Sequence, residues 1–125
     1  MRGWIGATNQ PVSSRERAVS KIYGCPVELA LDMIGGKWKT VIVARLKQGP
    51  MRFGELRRAI PNLSDKVLTE RMRDLETRGL VIRRADGRYA LTERGLSLAP
   101  ALQALFDWGT GIAPQVGAKI KLAEA

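Results

Sequence analysis

The stretch from Phe53 to Gly79 constrains this chain more than any other. Phe53, Leu56 and Ile60 recur at spacings of three and four, with Arg57 and Arg58 turned outward, and Pro61 ends that helix. After Pro61-Asn62-Leu63, Ser64 is placed to cap a second helix. Its hydroxyl can accept an orphan backbone N–H, and Asp65 sits favourably in the helix dipole. Leu68, Met72 and Leu75 then mark a buried face that runs to about Arg78, and Gly79 suits the residue just past the helix end. Helix, short turn, helix is helix-turn-helix geometry.

The flanking sequence extends this unit on both sides. Cys25-Pro26 opens an earlier helix, with Pro at the first helical position and Val27, Ala30, Leu31 and Ile34 as its stripe, stopped by Gly35-Gly36. A second helix is expected from about Lys37 to Lys47, with Trp38, Val41, Ile42 and Leu46 apolar, closed by Gly49-Pro50. Met51-Arg52 reads as a short extended link. Beyond Gly79, the run Leu80 to Arg84 and the run Arg88 to Leu91 flank Asp86-Gly87, which predicts a hairpin with a tight I′ turn. Thr92 caps a last helix, expected from Glu93 to about Trp108 with a kink at Pro100. The fold class is therefore mainly α with a small β-hairpin. Residues 1–14 read as a flexible tail, 15–112 as the domain with a short helix from Arg15 to Tyr23, and 113–125 as a second tail.

Charge points to the partner. The chain carries +9, and the excess is unevenly spread: 8 basic against 3 acidic residues over 1–51, 11 against 7 over 52–94, and 2 against 2 over 95–125. A basic body with a neutral apolar end suggests binding a polyanion with one part and associating through the other. The chain has no His and one Cys, which removes the commonest general base and zinc ligand and any internal disulfide. No enzyme activity and no cofactor are expected. No run approaches the roughly 20 apolar residues of a membrane span, and the first ten residues lack a secretory core, so a cytoplasmic location away from the membrane is expected.

The residues taken in order resemble the HxlR-type winged helix-turn-helix regulators, relatives of the MarR group. The resemblance is carried by Cys25-Pro26-Val27-Glu28, Ile34-Gly35-Gly36-Lys37-Trp38, Arg52 to Arg58, Ile60-Pro61, Ser64 to Glu76, Gly79-Leu80-Val81, Tyr89 and Leu91 to Gly95. It spans roughly Cys25 to Gly109 and implies a dimeric bacterial regulator of transcription, here with a shorter wing than the family usually has.

A recognition helix reads base edges with its N-terminal part. Lys66, Thr69 and Arg73 point away from the Leu68-Met72-Leu75 face and are the candidate base contacts. Ser64, Lys37, Lys39, Arg57, Arg58, Arg83, Arg84 and Arg88 are the candidate phosphate contacts, with ordinary solvated charge as the alternative. Arg71, at the margin of the buried stripe, is expected to pair with Glu55 or Asp74. Leu102, Leu105, Phe106 and Trp108 offer a dimer surface that would set two recognition helices roughly 34 Å apart on a palindromic double-stranded operator. The alternative is that they cover the monomer's own core.

Cys25 stands at a helix N-terminus, where the dipole favours negative charge. The resemblance makes it a candidate sensor of oxidants or electrophiles; the alternative is a packed small hydrophobe. A small-molecule effector is compatible with the resemblance, though no polar pocket is legible. The sequence expectation is thus a DNA-binding regulator acting as a repressor. The competing reading is a winged-helix module that binds another protein and never touches DNA.

Overall fold

The computed structural model describes residues 22–121. Six helices and one hairpin follow in the order α1 (Pro26–Ile34), α2 (Lys39–Leu46), α3 (Phe53–Ala59), α4 (Asp65–Thr77), β1 (Val81–Arg83), β2 (Tyr89–Leu91), α5 (Glu93–Ser97) and α6 (Ala99–Ile112). The tail at 1–14, most of the helix expected from Arg15 and the last four residues lie outside the described part. A short 3-10 turn at Pro114–Val116 follows α6, with Ala113 buried beside it. No helix among the described residues is long and apolar enough to cross a membrane.

The core sits where α2, α3, α4 and the hairpin meet. Ile42, Val43 and Leu46 of α2 pack with Leu56, Ile60 and Leu63, with Leu68, Met72 and Leu75 of α4, and with Leu80 and Val81. Local signals set the ends of α4. Ser64 Oγ accepts from the Val67 N–H at 3.1 Å. At the other end Gly79 takes φ 76°. The Leu80 N–H then reaches back to the Leu75 carbonyl, and the Gly79 N–H to that of Glu76. That pair of bonds is the Schellman stop, which needs a residue with no Cβ penalty at positive φ.

Four expectations about elements are corrected. Helix α2 begins at Lys39, because Trp38 is its N-cap in a left-handed conformation at φ 88°. That conformation costs a non-glycine residue on the order of 1–3 kcal/mol. It is compatible with the packing of Trp38 against the core and with the Lys37 ammonium 4.9 Å from its ring centroid. Of the α1 stripe, only Ile34 is buried; Val27, Ala30 and Leu31 face outward from the chain.

The wing differs in its turn. Only Gly87 has positive φ there, the Gly87 N–H bonds the Arg84 carbonyl, and the Arg84 N–H bonds the Arg88 carbonyl at 2.7 Å. The loop is thus the three residues Ala85 to Gly87, a turn followed by a left-handed glycine. The register pairs Arg83 with Tyr89, Ile82 with Ala90 and Val81 with Leu91, whereas a two-residue turn pairs Arg84 with Tyr89. Met51 bridges Tyr89 from the other side, so the expected link is a one-residue third strand.

The single terminal helix is two helices. Thr92 caps α5 as expected, its Oγ1 accepting from the Gly95 N–H at 3.0 Å. Pro100, however, falls in the first turn of α6 rather than kinking a continuous helix. Its missing N–H is harmless at that position. Thr92 Oγ1 also donates to the Gly79 carbonyl at 2.5 Å, and a Cβ on Gly95 would stand 2.2 Å from the Leu80 carbonyl oxygen. The hairpin is thereby pinned between α4 and α5.

Candidate nucleic-acid interface

The outward side of α4 is the centre of the site. With Leu68, Met72 and Leu75 fully buried, the helical period turns Lys66, Thr69, Glu70 and Arg73 to solvent. The Lys66 ammonium and the Arg73 guanidinium have no hydrogen bond or ion pair with any described residue; the Arg73 carbonyl accepts from the Thr77 hydroxyl at 2.9 Å. Thr69 Oγ1 donates to the Asp65 carbonyl at 2.8 Å, which leaves its lone pairs for a donor from outside. Ser64 is exposed at the helix mouth with its hydroxyl used as the cap.

The charged residues proposed around this face divide by their partners. Lys39 is corrected outright. Its side chain is buried, and its ammonium contacts the Asp74 carboxylate at 2.5 Å. It packs α2 onto α4 and offers no charge to an external phosphate. Arg78 also reaches Asp74, at 3.2 Å. Burial pushes the Asp74 carboxyl up, but Lys39 and then Arg78 outweigh it and hold the group below its ordinary value.

Arg71 pairs with neither acid expected for it; its Nε donates to the Lys37 carbonyl at 3.0 Å. The reason is occupancy. Asp74 is filled by Lys39 and Arg78, and Glu55 accepts from the Arg52 N–H at 2.7 Å. Arg57 is half-buried, and its Nε donates to Asp65, so this arginine braces the turn between α3 and α4. Arg58 and Lys37 are exposed, Lys37 resting on the Trp38 ring.

The wing tip gathers three arginines around one acid. Arg84 and Arg88 approach the same Asp86 Oδ2 at 3.2 and 3.4 Å, and Arg52 Nη1 donates to the Asp86 carbonyl at 3.0 Å. The Arg88 N–H bonded to the Asp86 carboxylate is the main reason this carboxyl lies below its ordinary value; desolvation opposes it, and the Arg84 and Arg88 side chains add to the lowering. Arg83, further down β1, lies over the Tyr89 ring at 5.6 Å.

Between α4 and the wing runs an open cleft of about 280 Å³, lined by Phe53, Thr69, Met72, Arg73, Glu76, Arg83 and Tyr89. Sequence reasoning did not single out Phe53, Glu76 or Tyr89 for the site. The three-residue loop is the signal that would have placed Tyr89 opposite Arg83; nothing in the sequence pattern marks Phe53 or Glu76.

Away from this face lies an apolar one. Leu105, Phe106 and Trp108 of α6 are each more than half exposed, as are Val27 and Leu31 of α1. Leu102 differs from its expected neighbours, packing against the core of its own chain. Cys25 is exposed at the N-cap of α1, which corrects the reading of a packed thiol. Just before it, the Tyr23 hydroxyl donates to Asp32; that bond, then burial and the Asp32 charge, raises the Tyr23 hydroxyl above its ordinary value.

Known proteins share this architecture. The HxlR-like helix-turn-helix profile matches residues 33–116. An HTH-type transcriptional regulator of Methanothermobacter thermautotrophicus is 43% identical over 93 residues, covering 70% of this chain and 71% of that protein. The HTH-type transcriptional regulator YkvN of Bacillus subtilis is 42% identical over 101 residues, covering 76% and 86%. Among solved structures, the redox regulator HypR in its reduced form matches with a TM-score of 0.68 at 35% identity, over 74% of this chain and 98% of HypR. Quinone-bound YodB from B. subtilis matches at 0.65 and 36% identity, over 70% and 99%. With its helix-turn-helix, its two-stranded wing and these relatives, the chain belongs to the HxlR-like helix-turn-helix family of transcriptional regulators.

Proposed function

We propose that this regulator binds a palindromic DNA operator as a homodimer and represses transcription by occupying it. The observation that carries this reading is the division of α4, with an apolar side sunk in the core and the Lys66 and Arg73 side chains exposed and without a partner among the described residues on the other. Lys66 and Thr69, in the first turns of α4, face the base edges of the major groove, where a lysine donates to guanine O6 and N7. Ser64, Lys37, Arg58, Arg83, Arg84 and Arg88 face phosphates and position the domain. Arg57 acts from within the turn by holding Asp65, and Lys39 takes no part in DNA contact.

The exposed Leu105, Phe106 and Trp108 pair with a second copy, supported by Val27 and Leu31. An apolar surface of this kind is unfavourable in water, and a two-fold pairing covers it on both chains at once. The site of action is the cytoplasm, where the DNA of such a regulator lies.

Cys25 is the proposed point of control. HypR is described as a redox regulator and YodB has been seen with a quinone bound. In this chain the only thiol is exposed. Addition of that thiol to a quinone needs no second cysteine, whereas a disulfide needs one from another molecule.

Selecting bound duplexes from a random pool, with and without a thiol oxidant or quinone, tests the reading as a whole. An inverted repeat recovered only from untreated protein is the expected result. Recovery of no duplex overturns DNA binding and returns the protein-interaction module as the better account.

A further inference from the structure

We infer that the cleft between α4 and the wing is a seat for a single DNA phosphodiester, gripped from opposite walls by Arg73 and Arg83. This rests on the DNA-binding reading above and assigns Arg73 a different job from Lys66. Arg73 lies eight residues into α4, about 12 Å along its axis from Asp65, past the N-terminal turns that face base edges.

Its surroundings are those of an anion seat. Arg73 lines one wall of the cleft with Thr69, and Arg83 the other with Tyr89. The Arg73 guanidinium has no partner among the described residues and is exposed. Arg83 is paired across the hairpin with Tyr89 and stacked on its ring at 5.6 Å, an arrangement that holds the cation in place before any ligand arrives. Tyr89 is itself fixed by two hydrogen bonds with Met51, at 3.0 and 2.8 Å.

Charge and size agree with the assignment. Two arginines and one carboxylate line the walls, so cations outnumber anions in the cleft, as an anionic ligand requires. The open volume of about 280 Å³ admits a strand that passes through rather than a ligand that is swallowed. A helix placed in the major groove with a wing beside it necessarily straddles the sugar-phosphate ridge between two grooves, and this cleft is the space left for that ridge.

The test uses full-length protein with a duplex selected from a random pool and with an unrelated duplex of equal length. Arg73→Gln and Arg83→Gln should each weaken both duplexes by the same factor, about tenfold, and reduce the slope of log K against log salt by about one. Arg73→Lys should restore most of the loss, because a point charge serves a phosphate while two-pronged base recognition requires arginine. Single methylphosphonates placed along the selected duplex should reveal one position that weakens the wild type and weakens each Gln variant less, because one of the two arginine contacts to that phosphate is already gone.

Relaxed preference at one base pair in Arg73→Gln, with an unchanged salt slope, overturns the seat and makes Arg73 a base reader. Sensitivity of the two variants to different phosphates also overturns it. Both results leave the DNA-binding reading standing. Wild-type protein that binds neither duplex removes both together.

Discussion

The ammonium of Lys39 lies 2.5 Å from the carboxylate of Asp74, joining the first turn of α2 to the last third of α4. The pair ties α4 to the body of the domain from a position next to Arg73 in sequence and about 100° round the helix from it. Replacing Lys39 by Met keeps the packed stem and removes the charge. Asp74 is partly exposed and keeps Arg78, so the expected loss of stability is modest, about 1–2 kcal/mol. Urea unfolding measures it. A midpoint unchanged from wild type would show that the pair contributes nothing net.

The same carboxylate predicts an acid response. Its folded value is depressed below the ordinary 3.8, so its contribution to stability is present above that ordinary value. The contribution is lost as pH falls through the lower, folded value. Asp74→Asn should therefore narrow the gap in stability between pH 6 and strongly acid solution, as followed by thermal melting across that window. An unaltered pH profile would assign the acid sensitivity to other carboxylates.

Gly95 answers for the seat of the hairpin. A Cβ there would stand 2.2 Å from the Leu80 carbonyl oxygen, and that oxygen belongs to backbone that also accepts from the Thr92 N–H. Gly95→Ala should cost about 1–3 kcal/mol, visible as a lowered Tm by calorimetry. A neutral result would mean that the α5 start can slide without penalty.

The exposed face of α6 predicts an oligomeric state. Phe106→Asp and Trp108→Asp should convert a dimer in sedimentation to a monomer while far-UV dichroism stays unchanged. Operator affinity should fall together with the dimer, because half-sites are then bound one at a time. A wild type that sediments as a monomer at micromolar concentration would remove the pairing proposal.

Cys25 predicts a chemical response. Quinone or diamide treatment should lower operator binding of the wild type, and Cys25→Ser should bind with unchanged affinity and ignore both reagents. Mass spectrometry should place the adduct on Cys25. A serine variant that still responds would locate the sensor elsewhere.

Much of α4 was legible because its signals are local: an i, i+3, i+4 stripe, a serine cap and a glycine stop, all within one helix. The buried role of Lys39 was not. A lysine on a helix reads as solvated charge, and its partner stands 35 positions away in sequence. Asp86-Gly87 fits a two-residue or a three-residue loop equally well, and that choice shifts the register by one and decides whether Arg83 or Arg84 meets Tyr89. Pro100 is compatible with a kink or with a new helix start, and Thr92 with Gly95 anchored to the hairpin favours the second. The outward α1 stripe shows the remaining limit, since periodicity tells that a face is apolar and not which chain covers it.

The bridge from Met51 to Tyr89 has one further meaning for control. It stitches the wing to the segment that leads into α3, while Lys39 clamps α4 and Gly95 locks the far end of the hairpin. These three fastenings tie α2, α3, α4, α5 and the wing together within the described residues. In the proposed dimer, a signal at Cys25 is therefore expected to act as calipers do, altering the span between two stiff jaws and leaving the shape of each jaw unchanged.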